Sequence, residues 1–347
     1  MKRLLFVLCC TLFLAACTAR SQQPCKVVFY NVENFFDTVD DPAKQDDEFT
    51  PGGARQWTAK RYARKLANIG RVLADIAALD DDFPVVVGLA EVENRTVVGD
   101  LVASPKLAPA GYRFVHFDSP DDRGIDVALL YRPDRFRLAG CAPVKARVPM
   151  MPHLRTRDIL TVWGALDGEP FFFVVSHWPS RLGGPEASEF KRMAVGEQIR
   201  RIADSVTAAR PATKVVIMGD FNDDPVDPSV TEGLGACLSE AEVEPGGLFN
   251  PFAAVFRAGE GTLSYNNAWN LFDNIVVSAN LLDGAAGSFR LRREAATNRG
   301  GCIFRPDYLL EADGPYRGTP LRSYAGKRYM GGFSDHLPVY ICLEKPE

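Results

Sequence analysis

A buried strand that ends in polar residues is the clearest chemical signal in the chain. Residues 215–218 (Val-Val-Ile-Met) form an apolar run, and Gly219 then leads into Asp220-Phe221-Asn222. Alternation with period two directs the side chains of Asp220 and Asn222 to the same side, where the strand leaves the core. A carboxylate and an amide placed together suit proton removal and transition-state stabilisation. The alternative interpretation is an Asx-rich turn that only closes the strand.

Polar residues also end other predicted strands or lie in tight turns beside them. They are Asn31, Glu91, His177, Asp273, Asp335 and His336. Strand ends that meet at one edge of a sheet are where α/β proteins place their chemistry. Glu91, with Asn31 and Asp335, offers the hard oxygen ligands that Mg²⁺ takes. Such an ion would polarise a phosphoryl oxygen and offset charge as it develops.

The remaining residues of this set have tasks that suit hydrolysis by water. His336 can hydrogen-bond a phosphate oxygen if a carboxylate orients its ring, and Asp273 is the natural candidate for that carboxylate. Asp220 can take a proton from the attacking water. The sequence contains no Ser-His-Asp or Cys-His arrangement with a nucleophile elbow, which disfavours covalent catalysis.

Two arginines near these motifs each have two interpretations. Arg123 lies at the entrance of the predicted strand 126–132, where it would contact phosphate or form a structural pair with Asp126. Arg181 follows residues 177–180 (His-Trp-Pro-Ser), where it would contact phosphate or lie on the surface.

The elements that must position these residues follow from hydrophobic periodicity. Apolar residues recur at helical spacing in two stretches: Tyr62, Leu66, Ile69, Leu73 and Ile76, and then Val195, Ile199, Ile202 and Val206 within residues 185–210. Strands are predicted at residues 26–32, 84–92, 112–117, 126–132, 158–166, 171–178, 215–220, 272–278 and 339–343. Many strands follow one another without a helix between them. We therefore expect one α/β domain over residues 26–347, with sheets packed face to face and helices outside.

The first residues differ from the rest of the chain. Lys2-Arg3 precede the apolar run 4–14, which is too short to span a membrane, and Leu14-Ala15-Ala16-Cys17 resembles a bacterial lipoprotein cleavage site. We expect a signal peptide over residues 1–16, lipidation at Cys17 and a short tether over residues 17–25. The alternative is an ordinary secretory signal with a chance cysteine. Both interpretations export the protein, and the first predicts a membrane-anchored lipoprotein in the periplasm or at the cell surface.

Charge and cysteine content limit the kinds of partner and metal that the protein could bind. Removal of residues 1–16 takes away two basic residues and no acidic one, so the formal net charge falls from −4 to −6. This balance argues against a general polyanion-binding protein. Residues 290–328, however, carry nine basic residues against four acidic ones, which fits either a groove wall facing phosphates or a solvated loop. The five cysteines after Cys17 have no zinc-ligand spacing.

Five motifs in order carry a resemblance to a known family. They are residues 29–34 (Phe-Tyr-Asn-Val-Glu-Asn), 89–94 (Leu-Ala-Glu-Val-Glu-Asn), 176–179 (Ser-His-Trp-Pro), 219–222 (Gly-Asp-Phe-Asn) and 333–339 (Phe-Ser-Asp-His-Leu-Pro-Val). Together they resemble the endonuclease/exonuclease/phosphatase superfamily, whose DNase I-like members share this order. The resemblance implies a four-layer α/β sandwich with two mainly antiparallel sheets. It also implies hydrolysis of phosphoesters with a divalent metal.

The resemblance implies a role for each matched residue. Asn31 and Glu91 would lie at the metal site, with Asp335 beside the metal. Asp220 and Asn222 would bind and activate water. His177 would contact phosphate or donate a proton, and Asp273 would pair with His336.

The leading expectation is an exported, monomeric nuclease that hydrolyses DNA or RNA with Mg²⁺ or Mn²⁺. A phosphatase or phosphodiesterase acting on phospholipid, as a sphingomyelinase does, or on inositol phosphate headgroups uses the same chemistry. A third interpretation is a non-catalytic binding lipoprotein on the same scaffold. The acidic loop 37–48 lacks the spacing of an EF-hand, which favours a solvated loop, and a structural Ca²⁺ is the alternative interpretation. No protein partner is indicated.

Overall fold

The structure of the protein is a computed structural model that describes residues 24–266, 268–284 and 286–346. The expected signal peptide and Cys17 lie outside these residues. The α-helices are α1 (Ala59–Ala77), α2 (Arg95–Ala103), α3 (Pro185–Ala209) and α4 (Phe252–Arg257). Within the described residues, none of these helices has the length and apolar character needed to cross a membrane. The five cysteines in this part of the chain are all free.

Eighteen strands accompany the helices in the described part of the chain. The strands are β1 (Cys25–Phe35), β2 (Val86–Val92), β3 (Arg113–His116), β4 (Asp126–Tyr131), β5 (Phe136–Val144), β6 (Ile159–Leu166), β7 (Glu169–His177), β8 (Lys214–Asp220), β9 (Ala236–Cys237), β10 (Leu248–Phe249), β11 (Leu263–Tyr265), β12 (Ala268–Asn270), β13 (Asp273–Ser278), β14 (Arg290–Leu291), β15 (Gly301–Ile303), β16 (Tyr324–Ala325), β17 (Arg328–Tyr329) and β18 (Val339–Glu344).

Most of these strands form two seven-stranded sheets. The first sheet has the order β14-β18-β1-β2-β4-β3, with β15 also pairing with β18, and the second has the order β5-β6-β7-β8-β13-β10-β9. Most pairs are antiparallel, but each sheet has a parallel pair near its centre: β1 with β2, and β7 with β8. The two sheets pack face to face, and β1, β2 and β4 of the first lie against β13, β8 and β7 of the second.

Burial explains the four layers. A large apolar cluster between the sheets includes Phe29 of the first sheet and Phe173 and Met218 of the second. The outer face of the first sheet is covered by α1 and α2, whose apolar stripes include Ile69 and Leu101. The outer face of the second sheet is covered by α3. Strands that are covered on both faces read as continuous apolar runs, as β8 does. The predicted α/β sandwich with helices outside is therefore confirmed.

This topology brings six chain segments to one edge of the sandwich. The parallel pairs β1/β2 and β7/β8 end at the same edge. Strands β13 and β18 run antiparallel to β8 and β1, so they begin at this edge, and Asp273 at the start of β13 is paired with Asp220 at the end of β8. The predicted meeting of strand ends is thus produced by parallel ends and antiparallel beginnings together.

Candidate active site

Strained backbone turns mark the strand ends at this edge. Glu33, Asn34, Glu91 and Asn222 are non-glycine residues with φ between 50° and 62°. The left-handed region is costly for such residues and is concentrated at functional sites. Glu91 lies in a β-bulge, because its neighbours Ala90 and Val92 pair with both adjacent strands whereas the described ladders leave Glu91 unpaired. Such bulges re-aim a side chain at an active site.

Asp220 is the centre of the polar contacts. Its Oδ2 accepts a hydrogen bond of 2.9 Å from Asn31 Nδ2, which joins the ends of β1 and β8 across the two sheets. The same oxygen lies 3.5 Å from His177 Nε2 and 3.7 Å from His336 Nε2. Its Oδ1 accepts the backbone N–H of Asn222 at 2.9 Å. Asp220 is 2% exposed, so these contacts form away from bulk water.

His336 is held between the two sheets. Its Nδ1 lies 2.7 Å from Oδ2 of Asp273, which is completely buried. Its backbone N–H donates to Ser334 Oγ at 3.0 Å, and that hydroxyl donates to the carbonyl of Asn31 at 2.7 Å. The carboxylate of Asp273 therefore fixes the ring, as the sequence predicts, and Nε2 is directed at Asp220.

The electrostatics of the two histidines differ. Burial by itself lowers the pKa of His336, but Asp273 and Asp220 outweigh burial and raise that pKa well above its usual value. These two carboxylates favour the protonated form of the ring, an imidazolium. Burial and the nearby cations Arg157 and Arg123 lower the pKa of His177 and so favour its neutral form. Burial raises the pKa of Asp220 to about 6, although His336 opposes this shift. The site thus favours a neutral imidazole at His177 and a charged one at His336, and both rings lie near the carboxylate of Asp220.

Two buried polar atoms here have no hydrogen-bond partner among the described residues. They are His177 Nδ1 and Asp273 Oδ1. Buried polar atoms are usually satisfied, so an atom without a partner is a mark of a site that receives a ligand or water. Asn222 is further constrained, because its Nδ2 donates to the carbonyl of Trp178 at 3.0 Å.

The oxygen donors that the sequence predicts for a metal ion, Asn31 and Glu91, lie on the neighbouring strands β1 and β2, towards their ends. Asn31 is paired with Ala90, the residue before Glu91. Glu91 Oε2 accepts the backbone N–H of Asn34 at 2.8 Å, and Asn31 Oδ1 accepts that of Glu33 at 3.0 Å. These bonds orient both groups and leave oxygen lone pairs free. Carboxylate and amide oxygens of this kind fit a hard divalent cation.

Asp335 is placed differently from Glu91. Its Oδ2 forms an ion pair with Arg322 Nη2, and the side chain of Asp335 is 32% exposed, so it lies at the rim of the site. Arg322 Nε also lies 3.6 Å from Glu33 Oε1. The structure therefore ties Asp335 to a charge network that the sequence does not reveal.

This network has two buried members, Glu33 and Lys65. Glu33 Oε2 accepts the backbone N–H of Ser323 at 2.6 Å and lies 3.8 Å from Lys65 Nζ. Burial raises the pKa of Glu33 to about 7, and Asp335 adds to that shift. Lys65 is 2% exposed and donates to Ser323 Oγ and the carbonyl of Phe333. Glu33 belongs to the motif at residues 29–34, but no sequence pattern connects Lys65, on α1, with it.

The two predicted phosphate-contacting arginines differ in position. Arg123 Nη2 lies 3.7 Å from Glu91 Oε2 and donates to Asn34 Oδ1, so Arg123 reaches the site while keeping half of its side chain exposed. Arg181 Nη2 lies 2.9 Å from Asp223 and 2.6 Å from Asp227, and its guanidinium stacks on Phe272. These contacts give Arg181 a structural role beneath the site.

A second group of potential metal ligands lies outside this cluster. Besides Asp220, Asp273 and His336, the described residues contain His116, Asp118 and Asp126 close together. Asp126 is already satisfied, because its Oδ1 accepts from the backbone and side chain of Ser119. We interpret the His116 group as structural.

Comparisons with known proteins agree with this fold. A sequence model described as "Endonuclease/Exonuclease/phosphatase family" matches residues 26–345. No curated protein sequence matches the chain. Similar solved structures include Danio rerio TDP2 complexed with a single-strand DNA product (16% identity, 93% of this chain and 100% of that chain, TM-score 0.54). They also include the human Nocturnin catalytic domain with bound sulfate (17% identity, 92% of this chain and 94% of that chain, TM-score 0.52). A third is a Bacteroides thetaiotaomicron mannosyl-6-phosphatase (17% identity, 92% of this chain and 99% of that chain, TM-score 0.52).

Proposed function

Because the chain belongs to the endonuclease/exonuclease/phosphatase family and is therefore a metal-dependent phosphoester hydrolase, we propose that it cleaves phosphodiester bonds of nucleic acid. The observation that carries the chemistry is the buried His336–Asp273 pair whose free nitrogen faces Asp220. We further propose Mg²⁺, or Mn²⁺ in its place, as the ion held by Glu91 and Asn31, with Asp335 at the rim. When bound, such an ion polarises the phosphoryl oxygen.

The chain's own residues would act on water and on phosphate. Asp220, held by Asn31 and the Asn222 backbone, accepts the proton of the attacking water. The imidazolium of His336 donates a hydrogen bond from Nε2 to a phosphate oxygen and offsets the charge that develops there. His177 in its neutral form can donate a hydrogen bond from a ring N–H to a second phosphate oxygen or to the leaving oxygen, which takes its proton from solvent. Arg123 lies beside Glu91 and can contact the phosphate on its exposed side.

A nucleic acid substrate is supported by the site but not by the basic segment. Within residues 290–328, Arg290, Arg292, Arg293, Arg299 and Arg322 all have carboxylate partners. These ion pairs neutralise most of the excess positive charge that the sequence suggests. The proposal is supported instead by the open rim beside Asp335 and Arg123. A second support is that the fold is shared with a TDP2 structure that contains a single-strand DNA product.

The test is a substrate panel with and without metal. We expect release of nucleotides from single-stranded DNA, duplex DNA or RNA in Mg²⁺, complete loss in EDTA and recovery when Mg²⁺ or Mn²⁺ is added back. Sphingomyelin, inositol phosphates and mannose 6-phosphate should be hydrolysed far more slowly. Faster hydrolysis of one of these three substrates would refute the nucleic acid proposal and leave phosphoester hydrolysis in place. Full activity in chelator would refute the metal proposal.

We also propose that the protein is exported and attached to a membrane through lipidated Cys17, on the motif Leu14-Ala15-Ala16-Cys17. Replacement of Cys17 by Ser should move the protein from the membrane fraction to the soluble fraction. Persistence of that variant in the membrane fraction would contradict lipidation.

A further inference from the structure

A pocket of about 390 Å³ opens beside the catalytic residues. It is lined by the β11–β12 hairpin, by the segment 311–322 and by the turn between β16 and β17. Asp335, which precedes His336, forms part of its wall. Leu263 at the start of the hairpin forms an isolated backbone bridge with His336, so the hairpin is fixed to the site by the catalytic residue itself.

Two tyrosines on this wall are unusually exposed. Tyr265 is 69% exposed and Tyr316 is 62% exposed, although most large apolar and aromatic side chains of the described residues are buried. They come from separate segments of the chain and line the same pocket. Exposed aromatic rings beside a phosphate-cleaving site are suited to stacking on the base of a single-stranded nucleic acid.

Charge on the pocket wall distinguishes a base from a second phosphate. The wall carries two carboxylates, Glu311 and Asp335, and one cation, Arg322, which is already paired with Asp335 and with Glu33. A phosphate would be repelled by this balance, whereas a neutral ring would not. Glu311 also offers an acceptor for an exocyclic amino group.

The size of the pocket agrees with one small group. Its volume lies near the lower end of the range for small-ligand sites, roughly 300–1,000 Å³. A base in an intact duplex is stacked and paired, so it must leave the helix before it can enter such a pocket.

From these observations, and resting on the proposed function, we propose that Tyr265 and Tyr316 bind the unpaired base next to the scissile phosphate, so that the enzyme acts preferentially on single strands or frayed ends. The site and the pocket share Asp335, so the base would bind one step along the strand from the phosphate at His336. Specificity would then come from ring stacking and the loss of pairing rather than from a basic groove.

The experiment compares variants on matched oligonucleotides. Tyr265→Ala, Tyr316→Ala and the double variant would be assayed on a short single-stranded oligodeoxynucleotide and on the same sequence as a blunt duplex, in Mg²⁺. We expect kcat/KM on the single strand to fall roughly 10- to 100-fold, mostly through KM, while Tyr265→Phe and Tyr316→Phe retain activity because the ring remains. Circular dichroism should show that the folding of these surface variants is unchanged.

A second arm tests contact with the base directly. An abasic nucleotide would be placed at each position along the strand in turn. At the position adjacent to the cleaved bond, it should lower kcat/KM as much as the Tyr→Ala changes do. In the double Tyr→Ala variant it should cause no further loss of kcat/KM there, because the two changes remove the same contact. Additive losses would overturn the proposal.

The outcomes separate the two proposals. If the wild-type enzyme cleaves the strand and both Tyr→Ala variants equal it, the base-binding pocket is refuted and the nuclease function stands. If the wild-type enzyme cleaves no nucleic acid, both proposals are refuted. If the Tyr→Ala variants lose hydrolysis of sphingomyelin instead, the pocket serves a lipid headgroup and the proposal for a base is refuted.

Discussion

At the scale of single residues, Asp220 connects almost everything in the site. It accepts from Asn31, lies near both His177 and His336, and is paired across the ladder with Asp273. The stretch that contains it is also the clearest motif in the sequence, because a buried strand with a polar end can be recognised from its residue types alone. The partners of Asp220 come from distant positions in the chain, so only the fold shows which of them meet.

Removal of the His336 imidazole should abolish most of the activity without unfolding the protein. We expect His336→Ala to lower kcat roughly 10²–10⁴-fold, because the oriented imidazolium acts on charge that appears in the transition state. The matched control is His153→Ala, since His153 is exposed. Steady-state kinetics on the preferred substrate measures both variants, and equal activity in the two would exclude the proposed role of His336.

The buried ion pair beneath the site offers a test of the charge network. Lys65→Met removes the buried cation beside Glu33 and leaves it only the half-exposed Arg322, and we expect a loss of about 3 kcal/mol in the free energy of unfolding. Adding Glu33→Gln to this variant should recover part of the loss, because the buried carboxylate that has lost its buried partner is then removed. Urea denaturation of the wild type, both single variants and the double variant gives the coupling energy. Simple additivity would show that the two side chains do not interact.

At the scale of elements, the spacing of apolar residues along the chain predicts the long helices and the buried strands. Residues 185–210 correspond to α3 (Pro185–Ala209), and the predicted strand 126–132 corresponds to β4 (Asp126–Tyr131). Strand β5 is not predicted, because residues 136–144 include Gly140 and Pro143 and most of its residues are partly exposed. Helix α2 is also not predicted, since its nine residues are rich in β-branched side chains and show a weak apolar stripe.

The start of α2 supplies a prediction about capping. Asn94 is the N-cap residue, and its side chain accepts from the backbone N–H groups of Thr96 and Val97. Asn94→Ala should lower the free energy of unfolding by about 1 kcal/mol or somewhat more, because those donors lose their partner. Thr58 occupies the same position before α1 but makes no side-chain cap bond, so Thr58→Ala is the control and should cost less. Equal losses in chemical denaturation would contradict the capping argument.

At the scale of the whole molecule, Glu169 joins the two sheets at the edge opposite the site. Its carboxylate, at the start of β7, lies 2.7 Å from Lys214 Nζ and 2.8 Å from Lys345 Nζ, and it accepts from Ser288 and the backbone of Phe289. Lys345 follows β18, so this contact ties the first sheet to the second. Burial alone would raise the pKa of Glu169, but the two lysines and Ser288 lower it to about 2.

This pKa gives a prediction about acid stability. A carboxyl whose pKa is lower in the folded state stabilises the fold above its unfolded pKa, and this contribution is lost as the pH falls towards the folded value. Glu169→Gln should therefore reduce the free energy of unfolding by about 2–3 kcal/mol at pH 7, and the difference from wild type should shrink between about pH 4.5 and 2. Glu197→Gln, on the exposed face of α3, is the control and should change little. A difference that does not vary with pH would exclude the ion pairs as its cause.

Much of the architecture could be predicted from the sequence, but the charge pairing could not. The buried strands and long helices have strong periodicity, whereas ion pairs such as Arg181 with Asp227 and Arg322 with Asp335 depend on loops whose course no pattern specifies. For this reason the excess of basic residues in 290–328 suggests a phosphate-facing wall, although much of that charge is neutralised within the protein.

The place of β18 has a consequence for how the site can assemble. This strand pairs with β1, and His336, just before it, meets Asp273 and Asp220 of the second sheet. Two segments that lie far apart in the sequence must therefore pair before the cluster around Asp220 is complete. A chain in which β1 and β18 have not yet paired can already hold Asp220 and Asp273 side by side in the second sheet and still lack the imidazole of His336.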